Sequence, residues 1–188
     1  MRRTAAVMAV LATAASMSFA GPASAKVLEK GTFHDEDTHR DRNFCGVSGL
    51  TIRHQLTVDG RFLVKTRGPD QLAYFQEHLK ISAVMTNVAT DEFVTIEETT
   101  MSKDHRVTNN GDGTLTILVL ATGNAVVYDS TGKAIARNPG QVRFEFLVDH
   151  GGTPQNPFDD EFLEFLGVVK DSTGRSDDFC AAIVEAIG

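Results

Sequence analysis

The sequence predicts an all-β chain, an antiparallel up-and-down meander that ends in a short C-terminal helix. Three observations carry this expectation. Several segments alternate apolar and polar residues with period two, most clearly Val142-Arg143-Phe144-Glu145-Phe146-Leu147-Val148. Clusters of Gly, Asn, Asp and Pro punctuate these segments at short intervals. The runs between them are rich in β-branched residues and phenylalanine, the residue types that pack well on a pleated surface; the chain holds 12 Phe, 2 Tyr and no Trp.

Taken in order, Val27 to Phe33 is expected as the first strand and His34 to Asn43 as a polar connection. Leu50 to Val58 alternates, with Leu50, Ile52, Leu56 and Val58 on one side. Asp59-Gly60 then predicts a hairpin turn into Arg61 to Lys65. Leu72 to Met85 places Phe75, Leu79, Ile81, Ala83 and Met85 on one side, interrupted by Glu77. Its first half also fits a helical turn, and the extended style of Ile81 to Val88 favours a strand. Asn87 to Glu92 reads as a turn, and the Val/Ile/Thr-rich Phe93 to Met101 as the returning strand.

Asn109 to Gly113 is a tight turn, since Gly and Asn tolerate positive φ. Thr114 to Thr122 follows as a strand, Gly123-Asn124 as a turn, and Ala125 to Tyr128 as its return. Asp129 to Lys133 turns again, Ala134 to Arg137 is a short extended piece, and Asn138-Pro139-Gly140 turns into the strand Val142 to Val148. Asp149 to Asp160 is a loop, and Glu161 to Val169 is the last strand. Ser176 is a good helix N-cap, and Asp177 and Asp178 sit where the helix dipole favours negative charge, so Phe179 to Ala186 is expected as a helix.

Eight or nine strands joined by short turns close most readily into a barrel, a lipocalin-like architecture that leaves no open edge. A two-sheet β-sandwich is the alternative. The chain shows no internal repeat, low-complexity tract or linker, so residues 26–188 are expected to form one domain.

The N-terminus addresses location. Met1-Arg2-Arg3 is a basic start, Thr4 to Phe19 is apolar, and Ala23-Ser24-Ala25 offers small residues at a cleavage site. This is the pattern of a secretory signal peptide over residues 1–25, cut after Ala25, and the protein is expected to be secreted. The apolar run is too short and alanine-rich to span a bilayer, and no later stretch reaches the length a span needs. Cleavage leaves 163 of the 188 residues and removes two Arg, which takes the net charge from −7 to −9. An acidic surface with scattered Lys and Arg argues against nucleic acid or anionic membrane as partner. Cys45 and Cys180 are the two cysteines. An even pair in an exported chain is expected to form a disulfide; two free thiols or half of a metal site are the rival readings.

Asn43-Phe44-Cys45-Gly46, Asp104-His105-Arg106-Val107-Thr108, Asn110-Gly111-Asp112-Gly113-Thr114-Leu115-Thr116-Ile117-Leu118-Val119, Tyr128-Asp129 with Gly132, Gly140-Gln141 with Arg143-Phe144-Glu145-Phe146, and Asp160-Glu161-Phe162 together resemble a family of secreted actinobacterial proteins of unknown function. The likeness runs from about Phe33 to Cys180. It implies secretion and no assigned activity. Thr86 to Asp91 departs from the Pro and Gly expected in that turn.

Candidate chemistry is sparse. His34-Asp35-Glu36-Asp37 with His39 and Asp41 gathers potential metal ligands, but on a strand its two histidines point to opposite sides. Asp149-His150-Gly151-Gly152 with Asn156, Asp159, Asp160 and Glu161 is oxygen-rich, without the spacing of a known calcium loop. No metal or cofactor is therefore assigned. Nucleophile elbow, zinc-protease helix and phosphate loop are all missing from the sequence, and no catalytic residue is assigned. His54 and Glu77 interrupt apolar sides of their strands, and Glu145 lies within the clearest strand; these three are the pocket candidates. The expectation that follows is a non-catalytic barrel binding a small apolar ligand. The alternatives are an extracellular protein-interaction module working through a patch or open edge, and a cyclase- or isomerase-type enzyme in which His54, Glu77 or Glu145 would converge.

Overall fold

The computed structural model describes Ala25 to Gly188. Apart from Ala25, the expected signal peptide lies outside the described residues. Among the described residues, seven strands form one antiparallel sheet in strictly sequential order: β1 (Val27–Arg42), β2 (Thr51–Arg67), β3 (Leu72–Asn87), β4 (Phe93–Asn109), β5 (Thr114–Tyr128), β6 (Ala134–Asp149) and β7 (Glu161–Lys170). One helix, α1 (Phe179–Ile187), follows. The all-β meander with a C-terminal helix is thus the observed architecture. All strands share one sheet, so it is not a two-sheet sandwich. β1 and β7 are its edges and do not pair with each other, so the sheet is not closed.

Fewer strands form than the eight or nine expected because three glycine-containing turn signals lie inside strands. Asp59-Gly60 sits within β2, where Gly60 pairs with Phe33 of β1. The Phe33 ring occupies the space a Cβ at position 60 would need, and Phe62 fills the same space over Gly31. Two reciprocal Phe–Gly pairs therefore stitch β1 to β2. Gly123 and Gly140 are cross-strand partners between β5 and β6, in strands that run straight through the expected turns. At all these places glycine marks a close approach of other atoms, the second common meaning of glycine in a strand. His34 to Arg42, expected as a connection, continues β1 because its residues pair in unbroken register with Thr51 to Asp59.

The other turns fall where expected. Asp129 holds its turn together by accepting hydrogen bonds at Oδ1 from the Thr131 amide (2.9 Å), the Thr131 hydroxyl (2.6 Å) and the Lys133 amide (3.0 Å). The helix N-cap is Asp178 and not Ser176: its Oδ1 accepts from the Ala181 amide at 2.9 Å. This shift of two residues leaves Asp177 free to pair with β6.

The face of the sheet that α1 covers is called inner here. Phe44, Leu50, Ile52, Met85, Val94, Val127 and Ala136 form one buried cluster with Ile183 and Ile187 of α1. At nine residues α1 is too short to hold itself helical in water. Burial of the two isoleucines stabilises its docking by about 2 kcal/mol each. The Asn87 side-chain amide donates to the Ile187 carbonyl at 2.6 Å, and the Cys45–Cys180 disulfide fixes the first turn. A second cluster, Leu72, Val107, Leu115, Ile117, Val119 and Val148, lies toward the other end of the strands. Among the described residues, no helix is long and apolar enough to cross a membrane.

Candidate functional site

Between the two clusters the inner face is lined by small side chains. Cross-strand rows place Glu98 beside Ala125 and Asn138, Thr100 beside Gly123 and Gly140, and Ser102 beside Ala121 and Val142. Alternation puts these residues on the face of Val94, Ile96 and Val127. After β7 the chain crosses back over β6. Ser172 seats against Gly140, and Gly174 lies so close to the Pro139 carbonyl that no Cβ fits. The Asp177 amide donates to the Arg137 carbonyl (3.1 Å), and the Arg137 amide donates to the Asp177 carboxylate (2.9 Å). Arg175 Nε donates to the same carboxylate at 2.6 Å. This strap, Asp171 to Ser176, borders a cleft of about 640 Å³ floored by Ala121, Gly123 and Ala125.

Two rows of phenylalanine flank the small-residue zone on the same face. Phe62 and Phe75 stack at 6.3 Å on the β1 side, next to Phe33. On the β7 side Phe144 meets Phe165 at 5.9 Å and Phe146 meets Phe162 at 6.2 Å. Phe33, Phe75, Phe162 and Phe165 are all exposed.

Two further clefts, of about 570 and 700 Å³, adjoin on the outer face of β1 to β3 among Thr32, Arg61 and His78, with Lys30 lining the first and Lys80 the second. Their size depends on long, flexible side chains. The inner cleft is set by small residues and a hydrogen-bonded strap, and so is the better-defined site.

The three pocket candidates are not brought together. His54 lies on the inner face, its ring stacked on His39 at 4.6 Å and 5.9 Å from the Phe44 ring. Burial, and then the neighbouring His39, lower its pKa, and its buried Nε2 has no hydrogen-bond partner. Glu77 is also on the inner face, between Phe62 and Ser102, and does not line the cleft. It sits eight positions along β3 from Met85, the partner of His54, roughly 26 Å away at strand rise. Glu145 is on the outer face, where it accepts a hydrogen bond from Arg106 at 3.1 Å. Cys45 and Cys180 are joined, with Cα atoms 5.6 Å apart.

The histidine-rich segment splits between faces. His34 pairs outward with Asp59 at 2.9 Å, which raises its pKa, while His39 pairs with Asp37 at 2.6 Å. In the Asp149 loop Asp149 accepts from the Gly151 amide and Asp159 from the Thr153 hydroxyl, whereas Asp160 keeps a buried Oδ1 without a partner. Among the described residues, no group of three side chains gathers as a metal ion would require.

Two inner-face acids were missed in the sequence. Glu98 borders the cleft beside Ala125; its place in a Thr-rich run gave no contrast. Asp104 is buried at the bulge in β4, and its Oδ2 accepts from the Phe75 amide at 2.7 Å. Burial pushes its pKa up to about 6, against the opposing effects of that hydrogen bond and of Arg67. The native state therefore binds this proton more tightly than the unfolded chain, whose carboxyl titrates near 3.8. The stabilising contribution is full below the unfolded value and is lost as pH rises through about 6. Asp104→Asn keeps an acceptor for Phe75 without a charge. It is expected to be more stable than wild type by roughly 1 to 3 kcal/mol at pH 7.5, with no gain near pH 3.5. Urea unfolding at the two pH values checks this.

No family model, no curated protein and no solved structure matches the chain.

Proposed function

We propose that the exported mature chain is a non-catalytic binding protein that holds one small apolar ligand on the inner face, beneath the C-terminal strap. The observation that carries this reading is the cleft itself: an inner face that buries both its ends but keeps Ala, Gly, Thr and Ser in its middle. A well-packed interior fills such space with larger side chains, and the volume falls within the range of small-molecule sites. In this reading the open sheet does the work of the expected eight- to nine-stranded barrel, and the strap stands where further strands would complete the wall.

Export and kinship with the secreted actinobacterial group belong to the same reading. The disulfide supports an oxidising destination. N-terminal sequencing of protein from culture supernatant is expected to begin at Lys26.

The ligand reading is tested with a long-chain fatty acid and the dye anilinonaphthalene sulfonate, by native mass spectrometry and fluorescence titration. One molecule is expected to bind per chain. Ala121→Phe, which fills the floor of the cleft, is expected to weaken binding at least tenfold while the melting temperature stays within a few degrees. Absence of binding by either probe, or binding that Ala121→Phe leaves unchanged, would overturn the reading.

A further inference from the structure

We propose that β7 is a homodimer interface, in which two copies pair their β7 edges antiparallel about a two-fold axis between Phe165 and Leu166. The two edges of the sheet are built differently. β1 carries Glu29, Lys30, Asp35, Glu36, Asp37, Arg40, Asp41 and Arg42, a density of charge that guards an edge against pairing. β7 carries Glu161, Glu164 and Lys170 only, and its other residues are apolar or glycine.

That apolar surface is uncovered. Phe162 is 62% exposed, Phe165 54% and Val169 57%, and Leu163, Leu166 and Val168 are exposed with them. Phe158, in the loop just before the strand, is 62% exposed as well. Exposed apolar side chains gathered on one edge strand mark a surface for association. The irregularity of β7 adds to it. Each of its three register shifts against β6 skips one residue, and the skipped residues are Leu163, Leu166 and Val169. Bulges usually blunt an edge; here they leave three apolar residues without a cross-strand partner.

The charges select the occupant and the register. Within the chain, Glu161 lies opposite Asp149 and Lys170 opposite Arg143, like against like at both ends of the strand. Neither Glu161 nor Lys170 has an ion pair among the described residues. The two-fold pairing places Glu161 opposite the partner's Lys170 and Lys170 opposite the partner's Glu161. It also sets Phe162 opposite the partner's Val169, Leu163 opposite the partner's Val168, and Phe165 opposite the partner's Leu166, with Glu164 facing glycine. A second copy of the chain thus supplies the apolar cover and the counter-charges that β6 lacks.

The test is sedimentation equilibrium of the oxidised mature chain from about 1 to 100 μM. Wild type is expected to be a dimer over the upper part of that range. Leu166→Lys puts two like charges at the axis and is expected to give a monomer, with the dissociation constant raised at least a hundredfold. Glu161→Lys opposes lysine to lysine at both ends and is expected to raise it about tenfold. The double variant Glu161→Lys/Lys170→Glu restores opposite pairs in the dimer and relieves both like-charge pairs with β6. It is expected to return within about threefold of wild type, and because it does not load the fold, lost dimer in the single variant is not lost structure. A wild-type monomer at 100 μM, a dimer indifferent to Leu166→Lys, a charge swap that fails to rescue, or assemblies that grow beyond two copies as β1-to-β7 pairing would, each overturns the proposal. The readout is independent of any ligand on the inner face.

Discussion

Replacing Cys45 and Cys180 together by serine is expected to lower the unfolding free energy by roughly 3 to 5 kcal/mol. The two residues are 135 positions apart, so the bridge closes a loop that spans nearly the whole sheet. In the chain-entropy account a loop of that length removes about 5 kcal/mol worth of freedom from the unfolded ensemble. The native state loses as well, because α1 is too short to persist undocked. Ile183 and Ile187 then depend on packing alone, and the Asn87 bond to the helix end has no tether behind it. Urea unfolding of the double serine variant against the oxidised wild type measures the loss; a value under 1 kcal/mol would contradict the account. Hydrogen exchange is expected to show α1 as the region most affected.

Gly174→Ala is expected to cost about 2 to 4 kcal/mol, the upper range for forcing atoms into a packed contact. The added Cβ collides with the Pro139 carbonyl, which is backbone and cannot rotate aside as a side chain would. Relief requires the strap to lift, and lifting breaks the two backbone-to-Asp177 hydrogen bonds at Arg137. Limited proteolysis is expected to cut the variant within Asp171 to Arg175 at least tenfold faster than wild type. If the proposed ligand site is correct, apolar probes bind this variant more weakly, since the strap borders the cleft. A variant with wild-type protection there would show that the strap does not depend on this contact.

Much of the sheet was legible because its signals are local. Val142 to Val148 alternates without interruption, Asn109 to Gly113 has the turn chemistry its reversal needs, and Glu161 to Val169 is bounded by a Pro- and Gly-containing loop. What failed was the meaning of glycine. Asp59-Gly60 has the composition of a hairpin turn, and only the ring of Phe33, 27 positions earlier in the chain, reveals why glycine stands there. Gly123 and Gly140 are equally ambiguous until they are seen as cross-strand partners, Gly123 against Thr100 and Gly140 against Ser172.

The site was less legible still. Its floor consists of residues too small to attract notice, and its border comes from a strap whose path depends on Gly174 and Asp177 meeting β6. His54 and Glu77 stood out because they break an apolar pattern. That pattern reports the face on which a residue lies and is silent on distance along the strand, which separates the two. Glu145 follows the polar parity of its strand, and its partner Arg106 is likewise on the outer side. The edge at β7 was visible as sequence but not as surface, because only the strand order shows that β7 is left unpaired on one side.

Every ladder in the sheet joins strands adjacent in sequence. Such a chain needs no distant segment to complete any hairpin, so each new strand finds its template already made. The meander can therefore assemble in the order of its synthesis, from the N-terminus onward. Oxidation of Cys180 is the exception: its partner appears 135 residues earlier and must wait, as a thiol, until the final helix arrives. Trapping the waiting thiol with iodoacetamide during refolding is expected to leave a fully paired sheet with its helix still loose.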